Sequence, residues 1–476
     1  MKHTPTTEQQ AIIESAKTGT NLAIRAFAGA AKTSTCVMVA EAVSKKSLYI
    51  AFNKSIADEA STKFPRYVEC RTVHSLAYRA MITPQNKHKL QGFYEFKDVL
   101  LPYGLDKEMA SEIRHNVINY TKLFCQSAYL TIEELIVKEK LKEDTDFYIN
   151  LCNEYWDDIT SPHSQAKMTH DVYLKMFQLS NPTLPYELLY LDEAQDSSPV
   201  VLSIVLAQKQ SQLVIVGDQY QAIYEWRGAI NALDNLGENF SHLYLTESFR
   251  FTPQVAEMAT KLTSIIGNDR KVIGNADKSN YNGNGTSALI VRTNSTILNE
   301  LLWAEANGEK VFVLADLKEL WSKMYHISAI MSNTKVTYPN KELAQFANRK
   351  ELEEAAEQMP ELNRLIKLTM GLSDGGLTNN INRIKSVIVT DVTKAGYTLT
   401  TAHKSKGLEW DEVTLTEDML VVREGQEIDD VLFESQTVEL LYVAITRAKY
   451  YINIPELVQE VIDDCKLYKV LFNRRG

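Results

Sequence analysis

Residues Arg25-Ala26-Phe27-Ala28-Gly29-Ala30-Ala31-Lys32-Thr33-Ser34 have the types and spacing to hold phosphate. They follow an apolar run, Leu22-Ala23-Ile24, that reads as a buried strand, and they precede a helix-compatible run from Thr35 to Val43. Strand, small-residue loop, Lys-Thr and helix together form the layout of a phosphate-binding loop. Its backbone N–H groups, from Ala28 through Ser34, turn inward, and the positive end of the helix faces the anion. Lys32 would reach the outer phosphates, and the Thr33 hydroxyl would ligate Mg²⁺. Two positions depart from the pattern G-x-x-x-x-G-K-[ST]: Ala26 and Ala31 stand where it has glycine. Ala31 places a methyl where backbone must approach phosphate, and alanine resists positive φ. Alone, the octapeptide fits a plain strand–turn–helix equally well.

A second group sits at Leu188-Leu189-Tyr190-Leu191-Asp192-Glu193-Ala194-Gln195-Asp196, an apolar strand ending in adjacent carboxylates. Asp192 would hold Mg²⁺ at the carboxyl end of a sheet, and Glu193 would polarise the attacking water as general base. An acidic turn after a core strand is the bland alternative. It does not explain why the layout recurs at Leu213-Val214-Ile215-Val216-Gly217-Asp218-Gln219-Tyr220-Gln221. Gln221 stands where a γ-phosphate sensor would lie. Beyond it, Tyr224, Trp226 and Arg227 offer stacking faces and a phosphate contact for single-stranded DNA. Arg250 follows the strand-like Tyr244-Leu245 and is a candidate stabiliser of charge on a transferring phosphoryl group.

The elements that must position these groups are an alternation of strands and helices. Thr6 caps a helix carrying Gln9, whose amide has the donor and acceptor to read adenine; the simpler reading is a solvent-facing helix glutamine. Phe52-Asn53-Lys54-Ser55 and Thr72-Val73-His74-Ser75 combine phosphate-binding types with aromatics able to stack on bases, although core packing is the simpler reading for Phe52 and Tyr78. Residues 85–185 read as a helical insertion filling its own small core with Phe93, Tyr94, Phe96 and Leu100. It interrupts a first α/β lobe at 1–84 and 186–251. A second lobe spans 252–316 and 386–476, interrupted by a short helical insertion at 317–385. The glutamates Glu351, Glu353, Glu354 and Glu357 within that insertion read as a solvated helix face. His403-Lys404-Ser405-Lys406-Gly407-Leu408-Glu409 follows a strand, and Arg447 is expected to project from a helix over Val438–Lys449 toward the nucleotide.

With 476 residues, 45% of them hydrophobic, the chain has core enough for two or more domains. A net charge of −10 confines any nucleic-acid contact to a local groove. Five scattered cysteines without a C-x-x-C argue for a reducing compartment, no disulfide frame and no zinc site. The polar Met1-Lys2-His3-Thr4-Pro5 lacks a signal peptide's apolar region, and no apolar run is long enough to span a bilayer. An intracellular protein without membrane contact is expected, cytoplasmic if bacterial or viral and nuclear if eukaryotic.

Taken together, Gln9, the phosphate loop, Phe52-Asn53-Lys54, Thr72-Val73-His74-Ser75, the 192–196 and 216–228 stretches, Phe249-Arg250, Arg292-Thr293-Asn294, 403–409 and Tyr442-Val443-Ala444-Ile445-Thr446-Arg447-Ala448 resemble the UvrD/Rep-like branch of superfamily 1 DNA helicases. The matches run in family order over nearly the whole chain. A closer resemblance, carried by Ala51 to Ala57, Met168 to Lys175 and Leu245 to Phe251, is to the helicase part of the F-box DNA helicases. The resemblance implies an α/β fold of two RecA-like parallel-sheet lobes with ATP in the cleft and single-stranded DNA across the top. It implies an ATP-dependent, Mg²⁺-requiring DNA helicase moving 3′ to 5′ on single strands. Such a motor would engage single-strand/duplex junctions and strip recombinase filaments or other DNA-bound proteins during recombination, repair or replication.

By motif match, Lys32 and Thr33 bind phosphates and Mg²⁺, Asp192 holds the metal and Glu193 activates water. Gln221, Arg250 and Arg447 sense the γ-phosphate, and Glu409 contacts the ribose. Phe52, Asn53, His74, Tyr224, Trp226, Arg227, Arg292 and His403 touch DNA or couple it to the nucleotide. The chain starts at the Gln9 motif, so no F-box-type ubiquitin-ligase contact is expected. Ala31 and the short second insertion motivate a second reading, a nucleotide-gated DNA-binding subunit of a recombination or nuclease (defence) complex with weak ATPase.

Overall fold

Apolar strands that do not alternate with polar residues are those covered on both faces, and the chain has several. A computed structural model describes residues 4–96, 104–141, 145–223, 231–234, 236–283, 285–340, 342–344, 346, 348–420 and 434–475. Leu100, Tyr224, Trp226 and Arg227 lie outside the described residues. The chain divides into two units, Met1–Thr246 and Glu247–Gly476, each with its own six-stranded sheet. Among the described residues no helix is long and apolar enough to cross a membrane.

In the first unit the strands are β1 (Asn21–Ala26), β2 (Ser47–Ile50), β3 (Val68–Arg71), β4 (Leu188–Leu191), β5 (Gln212–Gly217) and β6 (Phe240–Leu245). Their order is β3-β2-β4-β5-β1-β6, and every pairing is parallel. Alternate residues of each strand serve opposite faces. Leu22, Ile24, Tyr49, Tyr190, Val214 and Val216 pack under helices α1 (Thr7–Lys17), α2 (Lys32–Val43) and α3 (Lys54–Lys63). Ala23, Leu48, Ile50, Leu189, Leu191 and Ile215 face the other way.

That second face is covered by α4 (Val73–Met81), by α5 (Lys107–Gln126), α6 (Ile132–Lys138), α7 (Thr145–Thr160) and α8 (His170–Leu179), and by α9 (Pro199–Leu206). Here the structure corrects the expectation of a separate core for the helical insertion. Phe96, Val117, Phe124, Tyr155 and Val172 belong to one cluster with the sheet residues. The reason is length. Helices α4 and α9 have 9 and 8 residues, so each runs about 12–14 Å at 1.5 Å per residue. Six strands at about 4.8 Å spacing span roughly 24 Å. Phe93 departs from expectation too, being half exposed.

The second unit opens with a short parallel pair, β7 (Glu247–Ser248) and β8 (Ile273–Gly274), flanking α10 (Pro253–Ile265). Its main sheet comprises β9 (Ser287–Val291), β10 (Val311–Leu314), β11 (Ile388–Val389), β12 (Tyr397–Thr401), β13 (Trp410–Leu415) and β14 (Ala448–Asn453). The order is β11-β10-β12-β9-β13-β14, again parallel throughout. One face, with Val291, Val311 and Leu399, packs on α11 (Asn294–Asn307), α12 (Leu317–Met331), α13 (Arg349–Gln358), α14 (Pro360–Ser373) and α15 (Leu377–Lys385). The outer side of α13 is solvated and carries i,i+4 pairs, Arg349–Glu353 at 2.8 Å and Lys350–Glu354 at 3.6 Å. The remaining helices are α16 (Ala402–Ser405), α17 (Ser435–Ile445), α18 (Glu456–Asp463) and α19 (Cys465–Arg475).

Candidate active site

Parallel doubly wound sheets present their ligand sites at the carboxyl ends of the strands. In the first unit the loop from Phe27 to Ala31 leaves β1 there and turns into α2. Phe27 N donates to Leu245 O at 3.0 Å and Ala30 N to Phe27 O at 3.1 Å. Gly29 has φ 73° and Ala31 has φ 55°, ψ 40°, so alanine does occupy the left-handed conformation that glycine adopts more readily. Ala31 supplies no side-chain acceptor to the first N–H groups of α2. The positive end of a 12-residue helix therefore faces the loop uncapped, as an anion site requires. Ala28 and Ala30 are buried, Gly29, Ala31, Lys32 and Thr33 half-buried, and Ser34 exposed.

Asp192 and Glu193 follow β4 directly. Lys32 Nζ lies 2.9 Å from Glu193 Oε1, which joins the two motifs. Burial works against the Lys32 ammonium, but the Glu193, Asp192 and Asp218 carboxylates outweigh it and hold its pKa above the ordinary value. Burial, helped by the neighbouring Glu193 charge, pushes Asp192 up to about 6. Glu193 has φ 51°, ψ 44°. Of the six non-glycine residues with positive φ among the described residues, Ala31 and Glu193 are both in this site, and such strain, of order 1–3 kcal/mol each, concentrates where function over-determines the backbone.

Four residues to which the sequence reading gave no role complete the site: Gln195, Asp218, Gly217 and Tyr49. Gln195 is 1% exposed; its Nε2 donates to Glu193 Oε2 at 2.6 Å and its Oε1 accepts from Asp218 N at 3.0 Å. Asp218 in turn accepts from Gln221 Nε2 at 2.7 Å. Gly217 has no room for a side chain, since a Cβ there would lie 2.4 Å from Gln195 Oε1. Tyr49, buried on β2, donates its hydroxyl to Asp192 Oδ2. A tyrosine in an otherwise apolar strand was the available signal, because a buried hydroxyl needs a partner.

For Mg²⁺, the chain offers hard oxygen donors, the Thr33 hydroxyl in the first turn of α2 and the Asp192 carboxylate, which accepts from the Tyr49 hydroxyl. Among the described residues no three His, Cys, Asp or Glu side chains gather as a metal cage. One hydroxyl and one carboxylate suit an ion that keeps its remaining positions for water and phosphate.

Gln9 is buried, which overturns the solvent-facing reading. Its Oε1 accepts from Thr6 N at 3.0 Å, closing a capping box, and its Nε2 donates to Thr35 Oγ1 at 3.0 Å. Phe52 is 50% exposed rather than in the core. Asn53 caps α3 by accepting from Ile56 N at 2.9 Å. Phe52, His74 and Asp192 line a common cavity of about 170 Å³, so two residues expected to contact DNA and the carboxylate expected to hold metal meet in one place. His74 also stands edge-on to Tyr173, ring centroids 6.2 Å apart, and Tyr78 packs partly buried beside the same ring.

Within the second unit, Arg250 Nε pairs with Glu409 Oε2 at 2.9 Å. Two groups expected to meet nucleotide thus meet each other. Arg447 does not project. It is 1% exposed, and its guanidinium donates to Val443 O at 2.8 Å, Leu408 O at 3.2 Å and Thr446 Oγ1 at 3.0 Å. Helix α17 stops at Ile445, and the buried carbonyls around Arg447 need a donor. Arg292 is half-buried, its Nη1 donating to Met419 O at 3.0 Å and its backbone N to Asp418 Oδ1 at 3.1 Å. His403 is half-buried on α16.

A parallel sheet whose first strand feeds an uncapped helix through a small-residue loop, with an Asp-Glu pair ending the strand one place beyond its neighbour, defines a RecA-like lobe of the P-loop NTPase class, and the second unit repeats the architecture. Residues 5–241 match the UvrD/REP helicase N-terminal domain. The chain belongs to the UvrD/REP helicase family. It is 28% identical over 495 residues to F-box DNA helicase 1 of Gallus gallus, covering 93% of this chain and 48% of the relative. It is 29% identical over 506 residues to F-box DNA helicase protein 1 of Schizosaccharomyces pombe, covering 93% and 56%. Against the mitochondrial ATP-dependent DNA helicase HMI1 of Saccharomyces cerevisiae, identity is 23% over 241 residues, 44% of this chain and 31% of the relative. The chain spans about half the length of the first two relatives.

Proposed function

We propose that this chain is an ATP-driven DNA helicase or translocase that binds single-stranded DNA and single-strand/duplex junctions, moves 3′ to 5′, and unwinds duplex or strips bound proteins such as recombinase filaments. The observation that carries the reading is the Lys32–Glu193 contact at 2.9 Å beside Asp192. It ties the phosphate lysine to the candidate base. Family membership supports DNA as the track, and the 3′-to-5′ direction rests on family likeness alone.

The residues suggest how hydrolysis would run. Lys32 neutralises Glu193 Oε1, and Gln195 holds Oε2. Arriving phosphates draw Lys32 away and release a carboxylate oxygen. Glu193 then accepts a proton from water as that water attacks the γ-phosphorus and the bond to the β-phosphate oxygen breaks. Thr33 and Asp192 would hold Mg²⁺, which when bound neutralises charge on the leaving phosphate. The exposed Phe52 and the half-buried His74 line the cavity that reaches Asp192, a place where a base could stack within reach of the chemistry.

Glu193→Gln tests the base. It keeps shape and one acceptor but cannot take the proton, so turnover should fall by about 10²–10⁴ while nucleotide still binds. Unchanged turnover would sink the assignment. The left-handed Ala31 favours a second reading, a nucleotide-gated DNA-binding subunit with weak hydrolysis. In that case nucleotide alters DNA affinity in a protein that barely turns over, and Ala31→Gly raises the rate.

A further inference from the structure

We propose that Tyr49 is a positioning residue for the magnesium site, its hydroxyl holding the Asp192 carboxylate in place for the ion; this rests on the nucleotide site proposed above. A phenol has one proton to donate and lone pairs to accept with. Tyr49 donates its proton to Asp192 Oδ2. The carboxylate suited to Mg²⁺ is therefore tied to β2 by a hydrogen bond. The other Asp192 oxygen accepts from Glu193 N at 2.9 Å. One donor thus comes from the loop after β4 and the other from β2, and the carboxylate is fixed from two sides. Partners that orient metal ligands in this way typically change metal affinity or activity 10- to 100-fold when removed.

A core aromatic is the alternative role, and the protein holds its own control. Tyr49 belongs to a buried trio with Phe64, 4.7 Å between centroids, and Tyr190, 6.4 Å away. Both tyrosines have 0% exposure. They lie on neighbouring strands, directly paired in register. Their hydroxyls differ: that of Tyr190 is buried and makes no hydrogen bond among the described residues. Removing either oxygen perturbs the same aromatic packing, whereas only one removal touches Asp192.

The experiment uses the full chain as wild type, Tyr49→Phe and Tyr190→Phe. Binding of a fluorescent ADP analogue is followed while Mg²⁺ is titrated, and again in EDTA, with thermal melting of each variant alongside. The expected result is a Mg²⁺ midpoint about 10- to 100-fold higher in Tyr49→Phe, unchanged affinity in EDTA, and a Tyr190→Phe titration that follows the wild type. A Tyr49→Phe midpoint equal to the wild type would overturn the proposal. So would an equal loss of affinity in EDTA with a melting point far below that of Tyr190→Phe, which would make the hydroxyl a core hydrogen bond. If the wild type itself shows no Mg²⁺-dependent nucleotide binding, the nucleotide-site reading fails first, and the proposal falls with it.

Discussion

Ala31 and Ser44 bracket helix α2 with nearly the same backbone, φ 55°, ψ 40° and φ 52°, ψ 39°. An L-residue there costs about 1–2 kcal/mol against the right-handed region. Glycine removes that cost but loses about 0.5–1 kcal/mol more chain entropy on folding. The difference predicts that Ala31→Gly and Ser44→Gly each stabilise the first unit by about 0.5–1 kcal/mol. Ser44 also gives up an exposed 3.0 Å bond from Oγ to Glu41 O, so its gain should be the smaller. In a unit of this size 1 kcal/mol moves the melting midpoint by roughly 2–4 °C, so shifts of about 1–4 °C are expected by calorimetry of the full chain. The two variants should part company on nucleotide. Ala31→Gly removes a methyl from the cradle and should tighten a fluorescent ADP analogue, whereas Ser44→Gly, at the far end of the helix, should leave affinity unchanged. A lowered midpoint in Ala31→Gly with a raised one in Ser44→Gly would refute the reasoning, because it would mean that the loop does not hold Ala31 in the left-handed region.

Gly217→Ala places a Cβ 2.4 Å from Gln195 Oε1; displacing Gln195 from Glu193 should cost about 10²-fold in turnover with nucleotide affinity little changed, read by steady-state kinetics beside binding. Arg447→Ala removes a buried donor from three acceptors and should destabilise the second unit by more than about 3 kcal/mol; Arg447→Lys should not restore it, since an ammonium lacks the planar fork. A normal melting curve for Arg447→Ala would contradict the structural role. Burial holds the pKa of His326 below its ordinary 6.5, and its Nδ1 accepts from Asn340 N at 2.9 Å. Below about pH 6.5 the unfolded chain therefore takes up a proton that the folded one does not. Stability of the second unit should fall as pH drops through that value, more steeply in wild type than in His326→Gln, by melting between pH 7.5 and 5.5.

What the sequence made legible was local. The run ending in Asp192-Glu193 and the small-residue loop before Lys32 declare strand ends and chemistry within ten residues, and the fold sets both at the carboxyl edge of one sheet. Partners distant in sequence were not legible. Tyr49 meets Asp192 across 143 positions and Arg250 meets Glu409 across 159, and residue type alone does not choose such pairs. Arg447 shows the same limit in another form. Its type suited a phosphate, but the helix ends at Ile445, two residues before Arg447, and buried carbonyls claim the guanidinium. Phe96 was rightly read as core, yet which core it joined depended on how little of the sheet α4 and α9 could cover.

The account stands most directly on ATP hydrolysis by the purified chain, measured with and without single-stranded DNA, beside Lys32→Ala. It predicts hydrolysis that single-stranded DNA strongly stimulates and that Lys32→Ala abolishes. Hydrolysis indifferent to DNA, or undiminished in Lys32→Ala, would contradict it.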